Sequence, residues 1–253
     1  MLINKKRRYY SLLVLMGLLV IMSISVNAME PEEVLKEVYQ KMNMDGDGYM
    51  LEIKAISHKA NESNQAGLKV YLHKGKSQMV TFYKPEHLQE TRYLVKGHNT
   101  WMFQKGLQRP IRVSAQQKLF GDAGIAETAG INYYRDYQVL EMEEKEESYL
   151  FELKARDKQM AYQRVSLWIK KDLLQIEKVL LKAANGNPLK ELVYKNYRMV
   201  NGHQMADIRV NNVLYEQGYW TELQFVNVEK IQLLDKAFQP LMMGKFDLFL
   251  KGH

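Results

Sequence analysis

The residues whose types and spacing could do chemistry are concentrated in one turn. Asn43 to Lys54 reads NMDGDGYMLEIK, and a calcium-binding EF-hand loop wants oxygen ligands at its first, third and fifth positions and Gly at the sixth. Asn43, Asp45, Asp47 and Gly48 fit, and Met50 suits the apolar eighth position. The twelfth position, which needs a bidentate carboxylate, is Lys54. An EF-hand also needs a helix on each side, and from Tyr49 the pattern is that of a strand. The expectation is a structural reversal in which Gly reaches positive φ and Asp bonds its own backbone, with no metal bound.

Elsewhere the chemistry thins out. No G-x-S-x-G, H-E-x-x-H, P-loop or G-x-G-x-x-G occurs. The six His residues (His58, His73, His87, His98, His203 and His253) have no ligand spacing, and several adjoin turns. Asp122, in FGDAG, has no visible partner, and the acidic run Glu141–Glu147 reads as a solvated hairpin tip. Neither a catalytic residue nor a cofactor is expected.

The start of the chain implies export. Lys5, Lys6, Arg7 and Arg8 form a basic region, SLLVLMGLLVIMSISV an apolar one, and VNA ending at Ala28 a small-residue cleavage site. The expectation is a signal peptide over residues 1–28 and a periplasmic mature chain over 29–253. The alternative is an uncleaved anchor, for which the apolar run is short. With no Cys in the chain there is no lipid-attachment cysteine, disulfide or thiolate metal site. Without the four leader cations, 32 Lys+Arg face 29 Asp+Glu, a net charge of +3 that gives no argument for nucleic acid.

The elements that would position any site follow from periodicity. Val34, Leu35, Val38, Tyr39 and Met42 share one face of a helix, with Pro31, Glu32 and Glu33 at its start. After the turn the period becomes two: Tyr49, Leu51, Ile53 and Ala55 alternate with Met50, Glu52, Lys54 and Ile56. Similar runs continue to YWTELQFVNVEKI, separated by short turns such as Lys74-Gly75 and Asn201-Gly202, which describes an antiparallel meander. Only SAQQKLFGDAGIAETAGINYY breaks the rhythm, as a short helix or lid between two β halves. No repeat of 20 to 50 residues is visible, so a propeller or solenoid is not expected. The faces read as one apolar and one mostly polar: Val165, Leu167 and Ile169 against Ser166, Trp168 and Lys170, for example. By periodicity alone a filled core is favoured over an acyl-binding cavity, because both use the same residues. The 12 Met of the mature chain would make an adaptable lining if they faced inward.

From about Glu30 to about Leu241 the chain resembles the outer-membrane lipoprotein-sorting (LolA-like) family. The resemblance rests on Tyr83 and Pro85 closing a strand, then His98, Asn99, Trp101 and Phe103. It continues through Arg109, Ile111, Arg112 and Ser114, then Gly121-Asp122 and Asp136-Tyr137. Downstream, YQRVSLWIKKDLLQIEKVLL with NGNPLKEL, and MADIRVNN with GYWTELQFVNVE, look like the family's later strands. Phe103 and His98 depart from the usual Tyr and Asp, and MMGKFDLFLKGH has no counterpart. The resemblance implies a mostly β fold, an incomplete antiparallel barrel of about 11–13 strands with an N-terminal helix and a helical lid around an apolar cavity.

The cavity so implied would be walled by Leu51, Ile53, Leu68, Val70, Trp101, Phe103, Ile111, Val113, Val165, Leu167 and Ile169. Its function would be to carry or chaperone lipid or lipoprotein acyl chains non-covalently, each buried methylene contributing roughly 0.8 kcal/mol. A monomer is expected, linked to envelope transport and possessing no nucleic-acid partner. The alternative is a non-enzymatic accessory subunit of an inner-membrane transporter, with no lipid ligand. A membrane-spanning outer-membrane barrel is disfavoured, because the outward faces carry Lys, Glu and Gln rather than an apolar band.

Overall fold

The period-two runs become strands in the computed structural model, which describes residues 29–42, 44, 48–214 and 218–250. The expected signal peptide and most of the Asp-Gly-Asp turn lie outside the described residues. Helix α1 (Pro31–Met42) forms where expected, with Glu32 and Glu33 in its first turn and Lys41 in its last, matching the helix dipole. Its Val34, Leu35 and Val38 are buried.

A strand follows the turn, as the alternation requires: β1 (Gly48–Lys59) begins at once, and Lys54 lies in its middle. It opens a run of antiparallel hairpins through β2 (Glu62–His73), β3 (Ser77–Lys84), β4 (Arg92–Lys96), β5 (Asn99–Phe103) and β6 (Ile111–Val113). A second run comprises β9 (Tyr137–Glu144), β10 (Ser148–Ala155), β11 (Arg164–Lys170) and β12 (Gln175–Lys182). It ends with β13 (Pro188–Val200), β14 (His203–Asn212) and β15 (Tyr219–Lys230). β15 returns to pair with β1, giving one 13-stranded antiparallel sheet in the order β6-β5-β4-β3-β2-β1-β15-β14-β13-β12-β11-β10-β9.

The sheet does not close, and its two edge strands are consecutive among the sheet's strands. The segment joining them is the one without strand rhythm. It holds the small hairpin β7 (Lys118–Phe120) and β8 (Ala123–Gly124), then α2 (Ile125–Ala129) and α3 (Tyr133–Asp136). The expected helical lid is therefore two short helices plus a hairpin that its composition does not signal. Both edges resist further pairing. β6 is three residues long and follows Pro110, while β9 carries Glu141, Glu143 and Glu144. The acidic run is thus mostly strand, and only Lys145–Glu147 forms the tip, closed by Lys145 N–H donating to Ser148 O at 2.8 Å.

Cross-strand register assigns the faces. Leu51 pairs with Val70 and Val228, and Leu167 with Phe151 and Val179, so these side chains share one face. That face must be concave. Leu72 on β2 and Leu167 on β11 line one cavity although six strand spacings separate them, roughly 29 Å on a flat sheet. The other face of β1–β5 is also covered. Residues 233–250 run across it as two 3-10 segments, Asp235–Phe238 and Pro240–Phe249. They bury Phe238, Met243 and Phe246 against Met50, Tyr71, Met79 and Leu94. From Met242 on, this strap is the C-terminal stretch for which the family resemblance offers no counterpart.

Candidate functional site

α1, α2 and α3 lie against the concave face, and between them and the sheet is a cavity of about 200 Å3. Leu35 and Val38 of α1, Leu51 of β1, Leu167 of β11, Leu192 of β13 and Ile208 of β14 supply its apolar wall. Helical spacing puts Leu35 and Val38 on one face of α1, and strand alternation puts the other four inward. Tyr39 of α1 and Tyr134 of α3 meet with ring centroids 5.9 Å apart, joining the two helices over the cavity.

Lys190, Leu192 and Tyr194 occupy alternate positions of β13 and therefore point the same way, beneath the two short helices. Lys190 meets Glu127 of α2 in a buried ion pair, Nζ to Oε2 at 2.6 Å, and also donates to Asp122 O at 3.0 Å. Glu127 further accepts from Gly124 N–H at 2.6 Å and from Tyr162 Oη at 2.5 Å. Burial and then the adjacent carboxylate hold the Tyr162 phenol far above its ordinary pKa, so it stays a donor. Asp122 has its partners here: its N–H donates to Thr221 Oγ1 at 2.7 Å and its carboxylate pairs with Lys118 at 3.1 Å. Gly121, at φ +56°, lets this turn settle on the sheet, because a Cβ there would fall 2.2 Å from Thr221 Oγ1 and 2.5 Å from Ser57 Oγ. The network clamps the lid to the sheet.

The residues expected on the cavity wall divide into four groups. Leu51 and Leu167 line the cavity. Ile53, Leu68, Val70, Val165 and Ile169 share the concave face but are fully buried in packed core. Ile111 is 44% exposed on the short edge strand β6, and Val113 beside it is half-buried, so both stand apart from the wall. Trp101 and Phe103 are a correction: they lie on the opposite face, packed against the C-terminal strap. Trp101 pairs with Leu94 across β4, and Leu94 belongs to the strap-covered cluster. Alternation shows that Trp101 and Phe103 share a face, but not which face is concave. Glu127, Lys190, Tyr133 and Tyr194 were not legible as a site, since their association requires the lid to fold back on β13.

Among the described residues, no group of three or more His, Cys, Asp or Glu is arranged to hold a metal ion. Nor is any helix among them long and apolar enough to cross a membrane.

Comparison with known proteins fits this geometry. A family model described only as an uncharacterized protein family matches residues 74–245. Among curated proteins, no sequence match is found. Among solved structures, a LolA superfamily protein from Nitrosomonas europaea superposes with a TM-score of 0.73 at 22% identity, covering 84% of this chain and 98% of that one. A domain described as outer membrane lipoprotein-sorting, from Vibrio parahaemolyticus, gives 0.66 at 19% identity, over 84% and 97% of the two chains. A DUF1329 family protein from Desulfovibrio piger gives 0.66 at 17%, over 82% and 95%. The chain belongs to the family whose model it matches, and its fold is the open half-barrel of the LolA superfamily.

Proposed function

We propose that the protein is a periplasmic carrier or chaperone that shields acyl chains of lipids or lipoproteins between its concave sheet and its helices. The mature domain would run from Met29, act as a monomer, and serve envelope transport together with an inner-membrane complex. The observation that carries this reading is the cavity itself, apolar over most of its wall and roofed by separate short elements rather than by sheet. The mechanism is non-covalent, which accords with the purely structural partners of Asp122 and Glu127.

The cavity's size specifies what binding must do. About 200 Å3 is smaller than the roughly 300–1,000 Å3 of a ligand pocket, so a full acyl chain requires the roof to move. The lid segment is tied to the sheet by the buried Glu127–Lys190 pair, whereas the contacts of α1 include its apolar face, the Tyr39–Tyr134 contact and an exposed bond from Lys41 to Leu173 O. In this reading α1, which lies over the cavity without a buried ion pair among its described contacts, is the gate. The same small volume favours the second reading, an accessory subunit of a transporter whose cavity is part of the core. Native mass spectrometry of protein purified from envelope extract decides between them. Co-purifying acyl lipid is expected, and a bare chain from every extract would favour the accessory subunit.

A further inference from the structure

The cavity is not uniformly greasy. At the end beneath α3, the Tyr133 phenol lies in its wall with the residue only 7% exposed, and Tyr133 Oη makes no hydrogen bond of normal geometry to the protein. The Tyr194 hydroxyl is its polar neighbour here, and the two share a weak side-chain hydrogen bond whose geometry falls outside that of a normal one. Buried hydroxyls without a well-formed partner are rare in folded proteins, so such a group calls for an acceptor from outside the protein chain. Burial raises the Tyr133 pKa well above that of an ordinary phenol, and the Tyr194 value is raised to about 12. Both hydroxyls therefore keep their protons and can donate.

The charges around the cavity say what kind of acceptor fits. Among the described residues, every ionic group on its wall is already matched. Glu127 is neutralised by Lys190 and filled by Gly124 N–H and Tyr162. Lys74 is paired with Asp235 at 2.7 Å, and Arg135 with Asp136 at 2.7 Å. No unmatched cation awaits a carboxylate or phosphate, and the Glu127 carboxylate would oppose an anion. Resting on the carrier reading above, we infer that Tyr133, seconded by Tyr194, receives the neutral carbonyl of an ester- or amide-linked acyl chain whose alkyl part lies along Leu51, Leu167 and Leu192. The site thus distinguishes acylated molecules from free fatty-acid anions, a choice that an apolar cavity alone would not make.

The test uses the mature chain and displacement of a fluorescent acyl probe by four ligands of similar length: methyl decanoate, decanamide, decanoate and decyl methyl ether. Wild type should bind the ester or the amide about tenfold more tightly than the ether, the range set by one net hydrogen bond. Whichever of the two is preferred names the linkage. Decanoate at pH 7.5 should be weaker than the ester. Tyr133→Phe should erase the preference over the ether and should lower the thermal midpoint of the ligand-free protein little, because its hydroxyl has only the weak Tyr194 contact in the protein. The carbonyl stretch of bound 13C-labelled methyl decanoate should lie lower in wild type than in Tyr133→Phe. If Tyr133→Phe fails to fold, the wild-type band against that of the ester in hexane serves instead. An unshifted band, a preference that survives Tyr133→Phe, or decanoate binding tighter than the ester would each overturn the inference and leave the carrier reading intact. Wild type that binds no acyl probe at all would overturn both.

Discussion

The Glu127–Lys190 pair has side chains 0% and 8% exposed, and its cost and benefit come from the same burial. Two charges leave water, and three further hydrogen bonds to the pair compensate them. Removing one partner strands the other. Glu127→Ala or Lys190→Ala should each destabilise the fold by roughly 3–5 kcal/mol. The double replacement Glu127→Gln/Lys190→Met, which removes both charges, should cost clearly less than the two single changes added together. Urea unfolding of the four proteins reads this directly, and additive losses would mean that the pair does not act as a unit. Little of this was readable beforehand. Glu127 sits in GIAETAG and Lys190 in NPLKEL, 63 residues apart, and each reads alone as a solvated charge. By contrast, the strand that follows NMDGD was legible, because the alternation from Tyr49 onward required a strand where a calcium loop needs a helix.

At the level of elements, the strap over the outer face ties the C-terminal segment to the first half of the sheet. Arg92 donates to Met243 O at 2.6 Å and pairs with Asp247 at 2.5 Å. His73 stacks on Phe238 with centroids 4.8 Å apart and reaches Asp235 at 2.6 Å. Phe246 is fully buried, so Phe246→Ala should cost about 3–5 kcal/mol. Lys74, and after it His73, lower the Asp235 pKa to about 2. A carboxylate depressed below its unfolded value of about 3.9 contributes stability above that value and loses it as pH falls toward 2. Asp235 is exposed, so the contribution is small. Its sign still predicts that acidification from pH 4 to pH 2 loosens the strap in wild type more than in Asp235→Asn, as read by hydrogen exchange at Phe238 and Ala237. Equal loosening in both proteins would remove Asp235 from the account. The strap was illegible because MMGKFDLFLKGH has neither period 2 nor period 3.6, and its place is set by the patch that Met50, Tyr71, Met79 and Leu94 leave uncovered. The distal β1–β2 hairpin was missed for the opposite reason: Glu62–Gln65 are exposed, so no apolar alternation marks them as strand.

For the whole molecule, the two meanders, the segment joining them and the 13-strand order follow from a single fact: β15 returns to β1 and leaves the opposite edges open. Alternating patterns and short turns were enough to indicate an antiparallel meander, and the half-barrel followed from the resemblance to the LolA-like family. What they left undetermined was how much of the concave face is filled, because Ile53, Leu68, Val70, Val165 and Ile169 would read identically in a cavity wall and in a core. Export is expected to remove residues 1–28, so amino-terminal sequencing of the exported protein should begin at Met29, and a full-length chain held in the membrane fraction would contradict the proposed location. The most direct test of the carrier reading is a paired measurement on wild type and Leu167→Gln: retention of a fluorescent fatty-acyl methyl ester, and the thermal midpoint of the ligand-free protein. Leu167 is fully buried yet touches the cavity, so an amide placed there should find room and water at a cost of about 1–2 kcal/mol while sharply weakening retention. Wild type that retains no acyl probe, together with a Leu167→Gln protein that fails to fold, would show that the cavity belongs to a solid core and that the protein carries no lipid.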